Sequence, residues 1–147
     1  MTLIRRAQKK DWDDITHLLK DMDLVHGSIS IQNFWVALQG DKVAAVAQLE
    51  PWENYFFLSS VGVRTDCRGR GIATALINQM LSHVKHDIYL YTIIPEFFEK
   101  LGFENTDPPD GNDYRRHFDC DECAPEKCAC MKRPVTPFQH RRLTSRT

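Results

Sequence analysis

The sequence predicts an α+β domain in which a mixed sheet carries packed helices. Three observations predict it. Apolar runs over residues 34–39, 42–50 and 55–63 are joined by short turns and read as an antiparallel meander. The last run passes through a turn with two glycines and three arginines into a segment of helical periodicity. A further apolar run, Ile88 to Ile94, leads into a short Phe-rich helix. A meander followed by strand–helix–strand is the pattern of a mixed sheet covered by helices.

Each element has a local reason. Leu3 to Ala7 reads as a short first strand. Asp11 is placed as an N-cap, with Asp13 and Asp14 in the first turn of the helix it opens. Trp12, Ile15, Leu18, Leu19 and Met22 then recur at helical spacing and read as a core-facing stripe. Leu24 to Asn33 reads equally as a short helix or a loop. Gly40-Asp41 is a hairpin turn, and Pro51-Trp52-Glu53-Asn54 makes the next one. Ile72, Leu76, Ile77, Met80, Leu81 and Val84 form the stripe of a second helix. Gly102 stops the Phe-rich helix, and Phe103 starts another strand. Thr106 to Gly111 is rich in Pro, Asp and Gly and reads as loop.

Composition bounds the function. The 147 residues suffice for one domain with a real core. A net charge of −1 gives no electrostatic footprint for nucleic acid. No run is long enough to span a membrane, and Met1 to Arg6 lacks a signal-peptide core. The expectation is a cytoplasmic protein whose five cysteines are thiols or metal ligands. The expected layout is one domain over 1–132, with a cysteine-rich loop near 117–130 and a basic, disordered tail over 133–147.

The chemistry concentrates in the glycine turn. A strand, a Gly-rich turn and a helix N-terminus together make an anion site, because first-turn N–H groups lack intrahelical partners and the helix dipole adds positive charge. Arg64, Arg68 and Arg70 add charge around it. The turn is not a Walker loop, since Gly71 is followed by Ile72 and Ala73. It is not a dinucleotide fingerprint either, since Thr74 stands where the third glycine belongs. What remains, Arg68-x-x-Gly71-x-Ala73, resembles the pyrophosphate motif of the GNAT superfamily of acetyl-CoA-dependent N-acetyltransferases. A second stretch, Phe97-Phe98-Glu99-Lys100-Leu101-Gly102-Phe103, is similar to a segment the family carries at the same order and spacing. The resemblance covers roughly residues 2 to 106.

The resemblance implies a mostly antiparallel sheet splayed in its middle, with helices on both faces. Acetyl-CoA would be the cosubstrate. Val61 and Val63 would bond its pantetheine arm through main-chain groups, and Arg68, Gly69, Arg70, Gly71, Ile72 and Ala73 would hold the pyrophosphate. Gly62 would permit the distortion of a splayed strand. A small primary amine would attack the thioester directly, in a ternary complex. Tyr91-Thr92, the paired Phe and a tail reaching Cys130-Met131-x-Arg133 resemble the N-acetylglutamate-synthase-like branch, whose amino-acid acceptors call for an arginine clamp. Arg5, Arg115 and Arg116 are the candidates, and His26 is a candidate acceptor contact competing with simple solvent exposure.

Acid–base groups are sparse. Phe98 stands where many relatives place a tyrosine that protonates the thiolate, and Ser59 and Ser60 stand where some hold a glutamate. Glu50 is the chosen base, acting through water, with Glu53 behind it. Its competing reading is a solvated strand-end carboxylate. Cys67 reads as a small filler. Tyr91 and Tyr114 are the alternative acids. Cys120, Cys123, Cys128 and Cys130 could close a structural zinc site, with His117 a substitute ligand. Buried or independent thiols are the competing reading. The alternative function is a non-catalytic CoA-binding or metal- and thiol-responsive module. Homodimerisation stays open.

Overall fold

The computed structural model describes residues 2–22, 29–52, 54–109 and 129–134. Its centre is a seven-stranded sheet made of β1 (Thr2–Arg6), β2 (Phe34–Gln39), β3 (Lys42–Pro51), β4 (Tyr55–Val63), β5 (Asp87–Thr92), β6 (Glu104–Asn105) and β7 (Ala129–Arg133), in the order β1-β2-β3-β4-β5-β7-β6. β4 and β5 run parallel, and the other described pairings are antiparallel. The helices are α1 (Trp12–Asp21), α2 (Ile72–Leu81) and α3 (Pro95–Glu99).

The two faces follow from alternation along the strands. On one, Ile15, Leu18 and Leu19 of α1 pack on Phe34, Val36, Leu38, Val43 and Val46. On the other, Leu76, Ile77 and Met80 of α2 share a larger core with Ala37, Ala45, Ala47, Leu58, Ile88, Leu90 and Met131. Alanines beneath α2 let the helix approach the sheet closely. Each fully buried Leu or Ile side chain contributes about 1.5–3 kcal/mol. The mixed sheet with helices on both faces is the predicted fold class.

Several local expectations need correction. Asp11 does not cap α1 with its side chain. Its carboxylate accepts from the Gln8 backbone N–H at 2.7 Å and takes both arms of Arg5, at 2.7 and 3.1 Å. Asp11 keeps the expected N-cap position of α1, with Asp13 and Asp14 in the first turn, while its side chain anchors β1 to the entry of that helix. α2 ends at Leu81, short of Val84, and a turn bond from the Val84 N–H to the Leu81 carbonyl follows. β5 ends at Thr92, whose hydroxyl accepts from the Ile94 N–H at 2.9 Å and turns the chain into Pro95 at the start of α3. Ile93 and Ile94 are thereby exposed.

β7 was absent from the predicted elements. It enters between β5 and β6, pairing Leu90 with Met131 on one side and Asn105 with Met131 on the other. It takes in Arg133, which the sequence reading assigned to the tail. The Gly102 stop is as expected, with φ 93°.

Candidate active site

β4 and β5 pair only from Tyr55–Asp87 to Phe57–Tyr89. Beyond that rung no pairing joins them, although β4 runs on to Val63 and β5 to Thr92. The wedge between them is a cleft of about 510 Å³. Its walls include Leu58 to Val63 on one side, Leu90 to Ile94 on the other, and Phe97 and Phe98 from α3. A hollow of about 220 Å³ shares Val63, Arg68, Ala73 and Phe97 with the cleft and is also lined by Gly69, Gly71 and Ile72. The cleft and the glycine turn therefore adjoin.

The distortion that frees this end of β4 is a bulge. Val46 pairs with Gly62 and Gln48 with Ser59, so Ser60 and Val61 stand opposite the single residue Ala47. The conformational burden falls on Ser60, at φ 53°, and not on Gly62, which keeps negative φ. A non-glycine residue in the left-handed region costs about 1–2 kcal/mol. The expectation for Gly62 is thus corrected by two residues.

The turn has the backbone geometry that an anion cradle requires. Gly71, at φ 74°, is the N-cap of α2, and its carbonyl accepts from the Ala75 N–H at 3.0 Å. Gly69 has φ 78°. A Cβ added at either glycine would meet no atom of the described residues within 4 Å, which leaves room there for a ligand. Arg68 is exposed and donates from Nε to the Val63 carbonyl at 3.3 Å, which holds its guanidinium beside the end of β4. Arg70 is exposed on the same turn.

Arg64 does not join them. Its Nε bonds Asp66 Oδ1 at 2.6 Å, and its other nitrogens reach the Val43 carbonyl and Cys67 Sγ, each at 3.4 Å. That contact lowers the Asp66 carboxyl and raises the Arg64 guanidinium from their ordinary values. Cys67 is buried, as a filler residue should be.

The remaining candidates divide. Val61, Val63, Arg68 and Ala73 line the cleft, and Gly69, Gly71 and Ile72 line the adjoining hollow. Tyr91 lines the cleft and stacks on Phe57, with ring centroids 6.0 Å apart and planes 12° apart. Glu50 is half-buried near the end of β3, opposite Phe57, on the last rung before the strands part, and it is not among the cleft-lining residues. Arg5 is committed to Asp11 and is not available as a carboxylate clamp. His26, Glu53, Tyr114, Arg115, Arg116, His117, Cys120, Cys123 and Cys128 lie outside the described residues. Among the described residues no group of three or more His, Cys, Asp or Glu is placed to hold a metal. Nor is any described helix long and apolar enough to cross a membrane.

Two residues of the site were not selected from sequence. Gln48 is 1% exposed on β3, and Ser59 lines the cleft beside it. The available signal was one amide inside the otherwise apolar run Val43 to Leu49.

Comparison with known proteins agrees with this architecture. A family model described as an acetyltransferase (GNAT) domain matches residues 30–105. No curated protein sequence matches the chain. Among solved structures, Rv2747 from Mycobacterium tuberculosis, in complex with CoA, superposes with a TM-score of 0.72 at 20% identity, covering 90% of this chain and 99% of the other. N-acetylglutamate synthase from Neisseria gonorrhoeae, complexed with coenzyme A and N-acetyl-glutamate, gives 0.73 at 16% identity, covering 92% of this chain and 35% of the other. The ribosomal-protein-S18-alanine N-acetyltransferase from Escherichia coli gives 0.65 at 16% identity, over 92% and 94%. With a family match over more than half of its length, and this fold, the chain belongs to the GNAT acetyltransferase family and is an N-acetyltransferase.

Proposed function

We propose that the protein moves an acetyl group from acetyl-CoA to the primary amine of a small acceptor, an amino acid or a close relative, by direct attack in a ternary complex. The observation that carries this is the wedge between β4 and β5 running into the Gly69–Gly71 turn. The residues fit the cosubstrate. The β4 edge at Val61 and Val63, beyond the last rung shared with β5, suits an extended amide-bearing arm. The α2 N-terminus with Arg68, Gly69, Arg70, Gly71, Ile72 and Ala73 suits a pyrophosphate. The open space above both glycines is where its oxygens would approach the backbone.

When bound, acetyl-CoA supplies an activated acyl group, and the protein's work is positioning, deprotonation and charge stabilisation. Phe97 and Phe98 present an apolar wall to the cleft. Glu50, which lies outside the cleft lining, takes the ammonium proton through intervening water. The amino-acid acceptor rests on the likeness to N-acetylglutamate synthase and to the neighbour that acts on an alanine of a ribosomal protein.

The test is thiol release from acetyl-CoA across a panel of amino acids and polyamines, run beside calorimetry with CoA. Acceptor-dependent release supports the reading. Tight CoA binding without release for any amine would make the protein a CoA-binding module. No CoA binding would remove the assignment of the turn.

A further inference from the structure

β3 is apolar from Val43 to Leu49 except at Gln48, which is 1% exposed. A buried amide costs about 1–3 kcal/mol wherever its hydrogen bonds are missing. Here both ends are engaged. The Ser30 backbone N–H donates to Gln48 Oε1 at 3.0 Å, and Gln48 Nε2 donates to Ser59 Oγ at 3.1 Å. A backbone N–H can only donate, so Ser30 fixes which end of the amide is oxygen. The Nε2 end must then face Ser59, and Ser59 Oγ must accept. The serine hydroxyl makes no other hydrogen bond among the described residues, so its proton is free to be given elsewhere.

Ser59 lines the cleft and immediately precedes the Ser60–Val61 bulge. A hydroxyl that accepts one hydrogen bond becomes a better donor in the next. We infer that Ser59, polarised and oriented by Gln48, donates a hydrogen bond to the acyl oxygen of the bound thioester, where negative charge grows as the amine adds. Gln48 is the positioning residue. No bond to Ser59 forms or breaks, and its proton stays on Oγ. The inference rests on the acetyl-CoA reading of the cleft.

The decisive measurement needs no acceptor. Isotope-edited infrared spectra of carbonyl-labelled acetyl-CoA report the acyl C=O stretch, which a donated hydrogen bond lowers. The wild type should lower it relative to free acetyl-CoA. Ser59→Ala should bind CoA with unchanged affinity and lose much of that shift, and Ser59→Thr should keep it. Gln48→Met should lose it as Ser59→Ala does, with no further loss in the double variant. With an accepted amine, Ser59→Ala should lower kcat by about a hundredfold, the scale of one lost donor at an acyl oxygen, while KM for acetyl-CoA holds. An unchanged carbonyl frequency in a Ser59→Ala protein that still binds acetyl-CoA overturns the inference alone. A wild type that binds no acetyl-CoA overturns the site assignment as well.

Discussion

Replacing Gly71 by alanine separates backbone strain from ligand exclusion. Gly71 has φ 74°, and no atom of the described residues meets an added Cβ within 4 Å. The folded variant thus takes on only the left-handed strain, about 1–2 kcal/mol for an L-residue. The stiffer unfolded chain returns about 0.4–1 kcal/mol of that. A net loss of about 1 kcal/mol corresponds to about 2–4 °C in Tm for a chain of this size. Gly40, at the β2–β3 hairpin, is a matched control with φ 62° and an equally empty surround. Gly40→Ala and Gly71→Ala should therefore lose similar stability in urea titrations. Calorimetry should then distinguish them. Gly40→Ala should bind CoA as the wild type does, whereas a methyl at position 71 would enter the open space that the proposed cradle offers to phosphate oxygens. A tenfold loss, about 1.4 kcal/mol, is the least expected there, and Gly71→Glu should abolish binding. Equal CoA affinity in Gly71→Ala and Gly40→Ala would refute the cradle.

Two further predictions concern the frame that holds the site. Arg5 holds the Asp11 carboxyl below its ordinary 3.8, so the ion pair stabilises the fold above that value and its contribution fades as pH falls through the depressed one. Asp11→Asn should cost about 1–3 kcal/mol at neutral pH, and the gap to wild type should narrow in urea titrations below about pH 4. Met131 is fully buried at the middle of β7, so Met131→Ala should cost about 2–5 kcal/mol by the same assay. A loss under about 1 kcal/mol would argue against β7 lying between β5 and β6.

How legible each part was depended on how local its cause is. β2 and β4 have the bounds their apolar runs and turn residues predict, because Gly40-Asp41 and the turn at Trp52 punctuate them. The left-handed turn was legible for the same reason: positive φ at Gly69 and Gly71 follows from residue type. β7 was not legible. Its sequence, Ala-Cys-Met-Lys-Arg, carries no strong strand pattern, and its burial comes from β5 and β6, which precede it by a long excursion. The distortion of β4 was expected at Gly62 on residue type, but register against β3 decides where it falls, and the positive φ is at Ser60. The charge of Arg64 was read as available, yet Asp66 two residues on consumes it. Arg5 was lost to Asp11 in the same way.

The absence of a tyrosine at position 98 has a consequence that can be measured. Phe98 lines the cleft at 7% exposure, edge-on to Phe97 at 5.0 Å and to Phe103 at 5.8 Å between ring centroids. Both neighbours hold its ring, so Phe98→Tyr should place a hydroxyl at the cleft wall without repacking α3. Whether that hydroxyl helps depends on which proton transfer limits turnover. A thiol near pKa 8.5 is a fair leaving group at about pH 8, while an acceptor that arrives as an ammonium must lose its proton before it can attack. Deprotonation is the heavier demand, and a donor to the thiolate adds little to it. Phe98→Tyr should leave kcat within about threefold of wild type, far from the hundred- to ten-thousand-fold of a needed general acid. Glu50→Gln should lower kcat and move the rising alkaline limb of the pH profile. A hundredfold gain in Phe98→Tyr, or an unaltered profile in Glu50→Gln beside lost turnover in Tyr91→Phe, would reverse the order of these demands and make Tyr91 the proton donor.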